Sequence, residues 1–228
     1  MKEHMGGILL KNRINLNNMN RIITLLITLA FIFNCKSEKK KEKDQVSRAV
    51  KVSQSIILPN YILWGLNRLT LVKSELEDSE KPEFLLSRTS TLETAYASVN
   101  NIPVESGNYY RASIMVKKDD LGVGGFFGLR IIGDYPNRVD AVFDLENGLL
   151  KGVADVGEFF KGDAKIEDVG EGWYKCSLIA EVYSKKMKII LGPTSGFGKT
   201  ITWEGTTKEK SSVYIIPSSL VLEELVIN

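Results

Sequence analysis

Tyr110-Arg-Ala-Ser-Ile-Met-Val-Lys117 sets Tyr110, Ala112, Ile114 and Val116 against Arg111, Ser113, Met115 and Lys117 at a two-residue period. That period belongs to a strand with one buried and one wetter face. Val139-Asp-Ala-Val-Phe-Asp-Leu145 repeats it, with Val139, Ala141, Phe143 and Leu145 as the inward set. Outward from these two, runs of strand character begin at Leu69 and cover 82–87, 96–104, 126–132, 173–182, 187–191 and 213–225. No stretch holds a 3.6-residue period over three turns. Glu146-Asn-Gly148 and Gly170-Glu-Gly172 supply residues that tolerate positive φ where a chain must reverse between strands. About ten short strands at this spacing predict an all-β, two-sheet antiparallel sandwich.

Ahead of these strands the chain changes character twice. The apolar run Ile22–Phe33 follows Asn20-Arg21 and ends at Asn34-Cys35, after which Lys36-Ser-Glu-Lys-Lys-Lys-Glu-Lys-Asp44 is almost wholly charged. A basic start, a short apolar segment and a cysteine at the cut position read as a bacterial lipoprotein export signal. The run is shorter than the roughly 20 residues that cross a bilayer. Asn34 and Ile32 stand where such signals prefer a small residue and a leucine, so the match is relaxed. Cleavage is expected to leave Cys35 as the acylated (palmitoylated) first residue. Met19 is expected to start the signal, with 1–18 a gene-model extension, 19–34 the signal peptide, 35–51 the acylated cysteine and tether, and 52–228 the binding domain. Lys36 is not the aspartate associated with inner-membrane retention in some bacteria, so the outer membrane is the expected address.

Charge divides along the same boundaries. The net +2 of the chain splits into +3 over 1–34, +4 over 35–51 and −5 over the remainder. An acidic domain lacks the basic face that phosphate backbones require, which argues against nucleic acid as a partner. The Lys-rich stretch reads as a solvated tether, with contact to anionic headgroups as a second reading. The chain has two cysteines and one histidine. With Cys35 acylated, Cys176 has no disulfide partner, and its place in Tyr174-Lys-Cys-Ser-Leu178 makes it a small buried hydrophobe. His4 lies in the removed segment, so Ser-His and Cys-His catalysis and His-ligated metals fall away.

In order along the chain stand Asn60 and Trp64, Tyr110 to Lys117, Phe143-Asp-Leu-Glu-Asn-Gly148, Gly172-Trp-Tyr-Lys-Cys-Ser177, Trp203-Glu-Gly205 and Val213-Tyr-Ile-Ile-Pro-Ser-Ser-Leu-Val-Leu-Glu223. Over 56–228 this arrangement resembles the jelly-roll sandwich of galactose-binding-like carbohydrate-binding modules, including those of phage tail and other surface proteins. It departs from them at Ile216-Pro-Ser-Ser219, where the family often has Trp-Gly-Ala-Gln. The resemblance implies a jelly-roll fold, glycan binding, a structural role for Trp173 and, as such modules often have, a structural Ca²⁺, although no Asp-rich loop marks its ligands.

Met187–Leu191 followed by Gly192-Pro-Thr-Ser-Gly-Phe-Gly-Lys-Thr200 looks like a strand entering a phosphate loop. It carries one residue too many before Gly-Lys-Thr, and Ile201-Thr-Trp-Glu-Gly205 reads as strand and turn where a helix is needed. No nucleotide partner is expected. Gly122-Val-Gly-Gly-Phe-Phe-Gly128 likewise misses the dinucleotide spacing.

Sugars stack their C–H faces on aromatic rings while polar side chains take the hydroxyls. The outward set of the central strands, Arg111, Ser113, Arg130, Arg138 and Asp140, with Tyr135 in the adjoining loop, is a candidate site for a polyhydroxylated or anionic glycan; cross-strand ion pairing on a solvated face is the bland reading. Trp64 and Trp203 are candidate stacking platforms. The leading functional expectation is a non-catalytic, membrane-anchored module for a glycan or glycoconjugate. The alternatives are a lipoprotein that docks an envelope or host protein, and a carboxylate-based glycosidase or lyase using Asp144, Glu146 or Glu204.

Overall fold

In the computed structural model the chain divides into two units, Met1–Ser47 and Arg48–Asn228. The structure describes residues 50–74, 81–122, 125–195 and 200–227, all in the second unit. The export signal, Cys35 and the Lys-rich stretch lie outside the described residues, as does 196–199 of the glycine-rich loop.

Two antiparallel sheets build a β-sandwich. The seven-stranded sheet runs β10 (Phe160–Gly170), β11 (Trp173–Val182), β6 (Asn108–Lys118), β13 (Ser212–Ile227), β4 (Phe84–Arg88) and β3 (Leu69–Lys73), with β1 (Val50–Ile56) also paired to β13. The six-stranded sheet runs β2 (Gly65–Asn67), β5 (Tyr96–Pro103), β12 (Lys186–Thr194), β7 (Phe126–Ile132), β8 (Arg138–Asp144) and β9 (Leu149–Val156). The inward sets read from the alternation fill the space between: Tyr110, Ala112, Ile114 and Val116 of β6 face the core that also takes Val139, Ala141 and Phe143 of β8. Cys176 is fully buried among them, and burial pushes its thiol pKa up, out of reach of thiolate chemistry.

The strands outnumber the expected ten, because β1, β2, β9 and β10 carry too little apolar surface to announce themselves. β1 is the extreme: six of its seven residues are exposed. It begins at Val50, so the boundary read at 52 falls within it. The segment Ile201–Gly205, expected as strand then turn, is a 3-10 helix over Thr200–Thr202 where strand was expected, followed by the expected turn, and it folds onto the six-stranded sheet.

β13 is long because it serves two partners along one edge. Val213–Ile215 pairs with β4, and Leu222–Ile227 pairs with β1. Between them the register with β6 jumps from Ile216 to Val221, a bulge that holds the departure noted at Ile216-Pro-Ser-Ser219. Pro217 cannot donate to a ladder, and a bulge is where a strand tolerates it. Ser219 repairs the gap: its Oγ accepts from the Met115 N–H at 2.8 Å and donates to the Ile216 carbonyl at 2.6 Å.

Candidate binding face

The residues expected to form one outward cluster separate onto opposite faces of the sandwich. Arg111 and Ser113 lie on β6 in the seven-stranded sheet; Arg130, Arg138 and Asp140 lie on β7 and β8 in the six-stranded sheet. Alternation places a side chain on one face or the other of its own strand; it does not say which sheet the strand joins.

The outer face of the six-stranded sheet is covered over β7 and β8. The turn after Thr200 brings Trp203 down over Gly128, whose missing side chain makes room for the ring, and Trp203 joins Val142 and Ile190 in a small second core. Under this cover Arg130 is 4% and Asp140 0% exposed. The Arg130 guanidinium donates to Asp140 at 2.6 Å and, in a fork, to both Glu204 oxygens at 2.8 and 2.7 Å; a fourth N–H takes the Ile201 carbonyl at 2.7 Å. Its carbon stands 5.7 Å from the Trp203 ring centre. Burial pushes the Asp140 pKa up to about 6, against the pull of Arg130 and Arg138, the latter 3.3 Å away. Arg130, Asp140 and Trp203 therefore fasten the turn to the sheet and offer no open surface to a ligand.

The other expected residues stand apart. Trp64 is 7% exposed and belongs to the main core. It also lines a cavity of about 320 Å³ with Tyr61, Asn60 and Pro217. Tyr135 is 84% exposed in the loop between β7 and β8. The carboxylates considered for hydrolysis are engaged: Asp144 accepts from the Glu146 and Asn147 amides, Glu146 pairs with Lys118, and Glu204 holds Arg130. A cleft of about 800 Å³ opens beside β1, but its one ring, Tyr110, is fully buried with its hydroxyl committed to the Glu105 backbone.

The outer face of the seven-stranded sheet is the open one. Its register sets side chains in rungs: Asp163, Ile179, Arg111 and Glu223; then Lys165, Ser177, Ser113 and Val221; then Glu167, Lys175, Met115 and Ile216. A groove of about 230 Å³ lies across β10, β11 and β6, lined by Arg111, Asp163, Lys165, Glu167, Lys175 and Ser177. Arg111 donates to Glu223 at 2.8 and 2.7 Å, and Lys165 reaches Glu167 at 2.7 Å. That hydrogen bond, with Lys175 and Arg111 nearby, holds the Glu167 carboxyl below the usual range. The groove is thus lined by three cations and two carboxylates, and Glu223, paired to Arg111 on the next strand, stands beside it as a third carboxylate of the face. Rings stand on the same face beyond its two ends. Tyr109 and Tyr183 both donate to Glu181, at 2.8 and 2.6 Å, and at the other end Lys117 lies over Trp173 and Tyr214, at 4.9 and 5.5 Å. Trp173, expected to be structural, is 7% exposed in this layer, covered in part by the Lys117 stem.

Of this face the sequence reading named Arg111 and Ser113, and Ser113 is fully buried beneath its neighbours. The missed residues sit on β10 and β11. Asp163, Lys165 and Glu167 alternate with Ala164 and Ile166, which pack on the core. That signal was present but weak. Among the described residues no group of three or more Asp, Glu, His or Cys side chains gathers to hold a metal ion.

No family model matches the chain, and no curated protein matches it. Among solved structures it is similar to the CBM22-1 xylan-binding domain from Paenibacillus barcinonensis Xyn10C, at 10% identity and a TM-score of 0.43, covering 78% of this chain and 96% of that one. It is also similar to the Clostridium thermocellum endo-1,4-beta-D-xylanase 10B CBM22-1 and GH10 modules complexed with xylohexaose, at 13% identity and a TM-score of 0.42, covering 77% of this chain and 29% of that one. At these scores the likeness carries no function across.

Proposed function

We propose that this chain is an envelope lipoprotein, tethered through Cys35, whose sandwich binds a neutral glycan along the outer face of the seven-stranded sheet without catalysis. The observation that carries the reading is the groove of mixed charge on that face. A sugar hydroxyl both donates and accepts, and alternating guanidinium, ammonium and carboxylate groups answer it in both directions. Three cations set against the two lining carboxylates and Glu223 beside them leave little net attraction for an anionic chain, which favours uncharged polymers. From Tyr109 to Lys117 the face extends about 26 Å at the rise of a strand, room for several sugar rings laid end to end between the two aromatic ends.

The test is a glycan array followed by affinity electrophoresis in the best polysaccharides, with Arg111→Ala and Lys175→Ala beside the parent. Each substitution should weaken retention by about tenfold, with the thermal midpoint little changed, and Tyr135→Ala should leave retention intact. Absence of binding to any glycan, or retention indifferent to both groove substitutions, would count against the reading. Capture of one defined envelope protein in place of a glycan would favour the docking alternative.

A further inference from the structure

The chain crosses from β1 in one sheet to β2 in the other through residues 57–64. Leu58, Tyr61 and Trp64 pack on the core, with the Tyr61 ring 4.9 Å from that of Phe84. Ile57, Ile62 and Leu63 turn the other way and are 96%, 76% and 74% exposed. From Ile56 to Asn67 there is no charged residue. Large aliphatic side chains exposed singly are ordinary, but three within seven residues on an uncharged segment mark a contact surface.

The backbone of this tip indicates what it contacts. Pro59 has no N–H; the Ile62 amide donates to Asn60 Oδ1 at 3.0 Å, the Leu63 amide to the Asn60 carbonyl at 2.9 Å and the Trp64 amide to the Tyr61 carbonyl at 3.1 Å. A partner that adds a strand needs free backbone donors, which these residues do not offer. A lipid interface favours donors satisfied within the segment, as those of Ile62, Leu63 and Trp64 are.

We propose that Ile57, Ile62 and Leu63 rest in the interfacial layer of the bilayer to which the chain is tied, which rests on the lipoprotein reading given above. β1 runs about 23 Å from Val50 to the tip at the strand rise. The fourteen residues from 36 to 49 can extend about 48 Å. The tether is therefore long enough to let the tip come down beside its own anchor. A lipid anchor joined by a second apolar contact holds a domain in one orientation, where the anchor alone leaves it free to tumble. Here that orientation would lay one side of the sandwich toward the lipid and leave the faces of both sheets at an angle to it.

The experiment uses the full chain with vesicles of phosphatidylethanolamine and phosphatidylglycerol carrying brominated acyl chains. Flotation reports the anchor; quenching of the Trp64 emission, taken as the difference between the parent and Trp64→Phe, reports the tip. Quenching of that component by roughly twofold is expected, lost in the Ile62→Asp/Leu63→Asp double variant while flotation and thermal midpoint persist. Leu121→Asp, at a position 96% exposed elsewhere, should change neither. Failure to float would sink the anchor, and quenching alone would then decide the tip. Absent quenching, or quenching equal in the parent and the double variant, overturns the proposal. So does a photoreactive side chain at position 62 that attaches to a protein; attachment to lipid supports it.

Discussion

Asp140 shows how one residue can combine an expected role with an opposite environment. Its alternation with Val139 and Ala141 puts it on the outward face of β8, yet it is fully buried, 2.6 Å from Arg130 and 3.3 Å from Arg138. Desolvation outweighs the two guanidiniums and pushes its pKa up to about 6, with Glu204 adding to the rise. A carboxyl whose folded pKa is raised holds its proton more firmly folded than unfolded. The stability from this linkage is therefore full below about pH 4 and is lost as the pH climbs through about 6. Asp140→Asn should abolish that slope. Between about pH 4 and pH 7 the variant's unfolding free energy should gain on that of the parent by roughly 2–3 kcal/mol, whatever constant cost the lost ion pair adds. Denaturant titrations of both proteins at the two pH values check it, and parallel pH profiles would refute it. Cys176 is the contrasting case, where alternation predicted burial and the side chain is buried, because an apolar thiol has no reason to leave the inward face.

At the scale of elements, the turn after Thr200 decides which sheet face is open. Trp203 lies flat enough on β7 that a Cβ at Gly128 would overlap its ring, and no other contact near that glycine is so close. Gly128→Ala should therefore lift Trp203, expose Arg130 and cost about 1–3 kcal/mol. A thermal melt together with a red shift in tryptophan emission measures this; an unchanged melt and spectrum would show the turn to be loosely held. The same scale explains which strands the sequence hid. β6, β7, β8 and β11 bury whole inward sets and were legible. β10 is solvated on its outer face and packs small or single apolar side chains inward, so its alternation was faint, and with it went Asp163, Lys165 and Glu167 of the candidate groove.

At the scale of the whole molecule, the charge divides along the chain, and the proposed anchor adds an attachment. The +4 carried by 35–51 precedes a domain of −5, so the chain would present its tether to anionic headgroups and meet them from the sandwich only through the uncharged stretch 56–67. Cys35→Ala should move the protein from the membrane pellet to the soluble fraction, as read by fractionation and immunoblot. Retention in the pellet would mean that Ile22–Phe33 stays in the bilayer as a span. The sandwich itself, with no disulfide open to it, rests on the core between its sheets, and a domain of this length buries enough apolar surface for that.

The two-residue period of Tyr110–Lys117 and Val139–Leu145, repeated over about ten short runs broken by turn residues, was enough to determine an all-β sandwich and the inward half of its central strands, because burial of alternate side chains is a local property of an extended chain. Which sheet each strand joins, whether an outward face meets water or a folded turn, and how Asp163, Arg111 and Glu223 come to share one rung are matters of pairing between segments far apart in sequence. Only the tertiary structure decided them, since the energy that selects a pairing lies in contacts that do not exist until the strands have met.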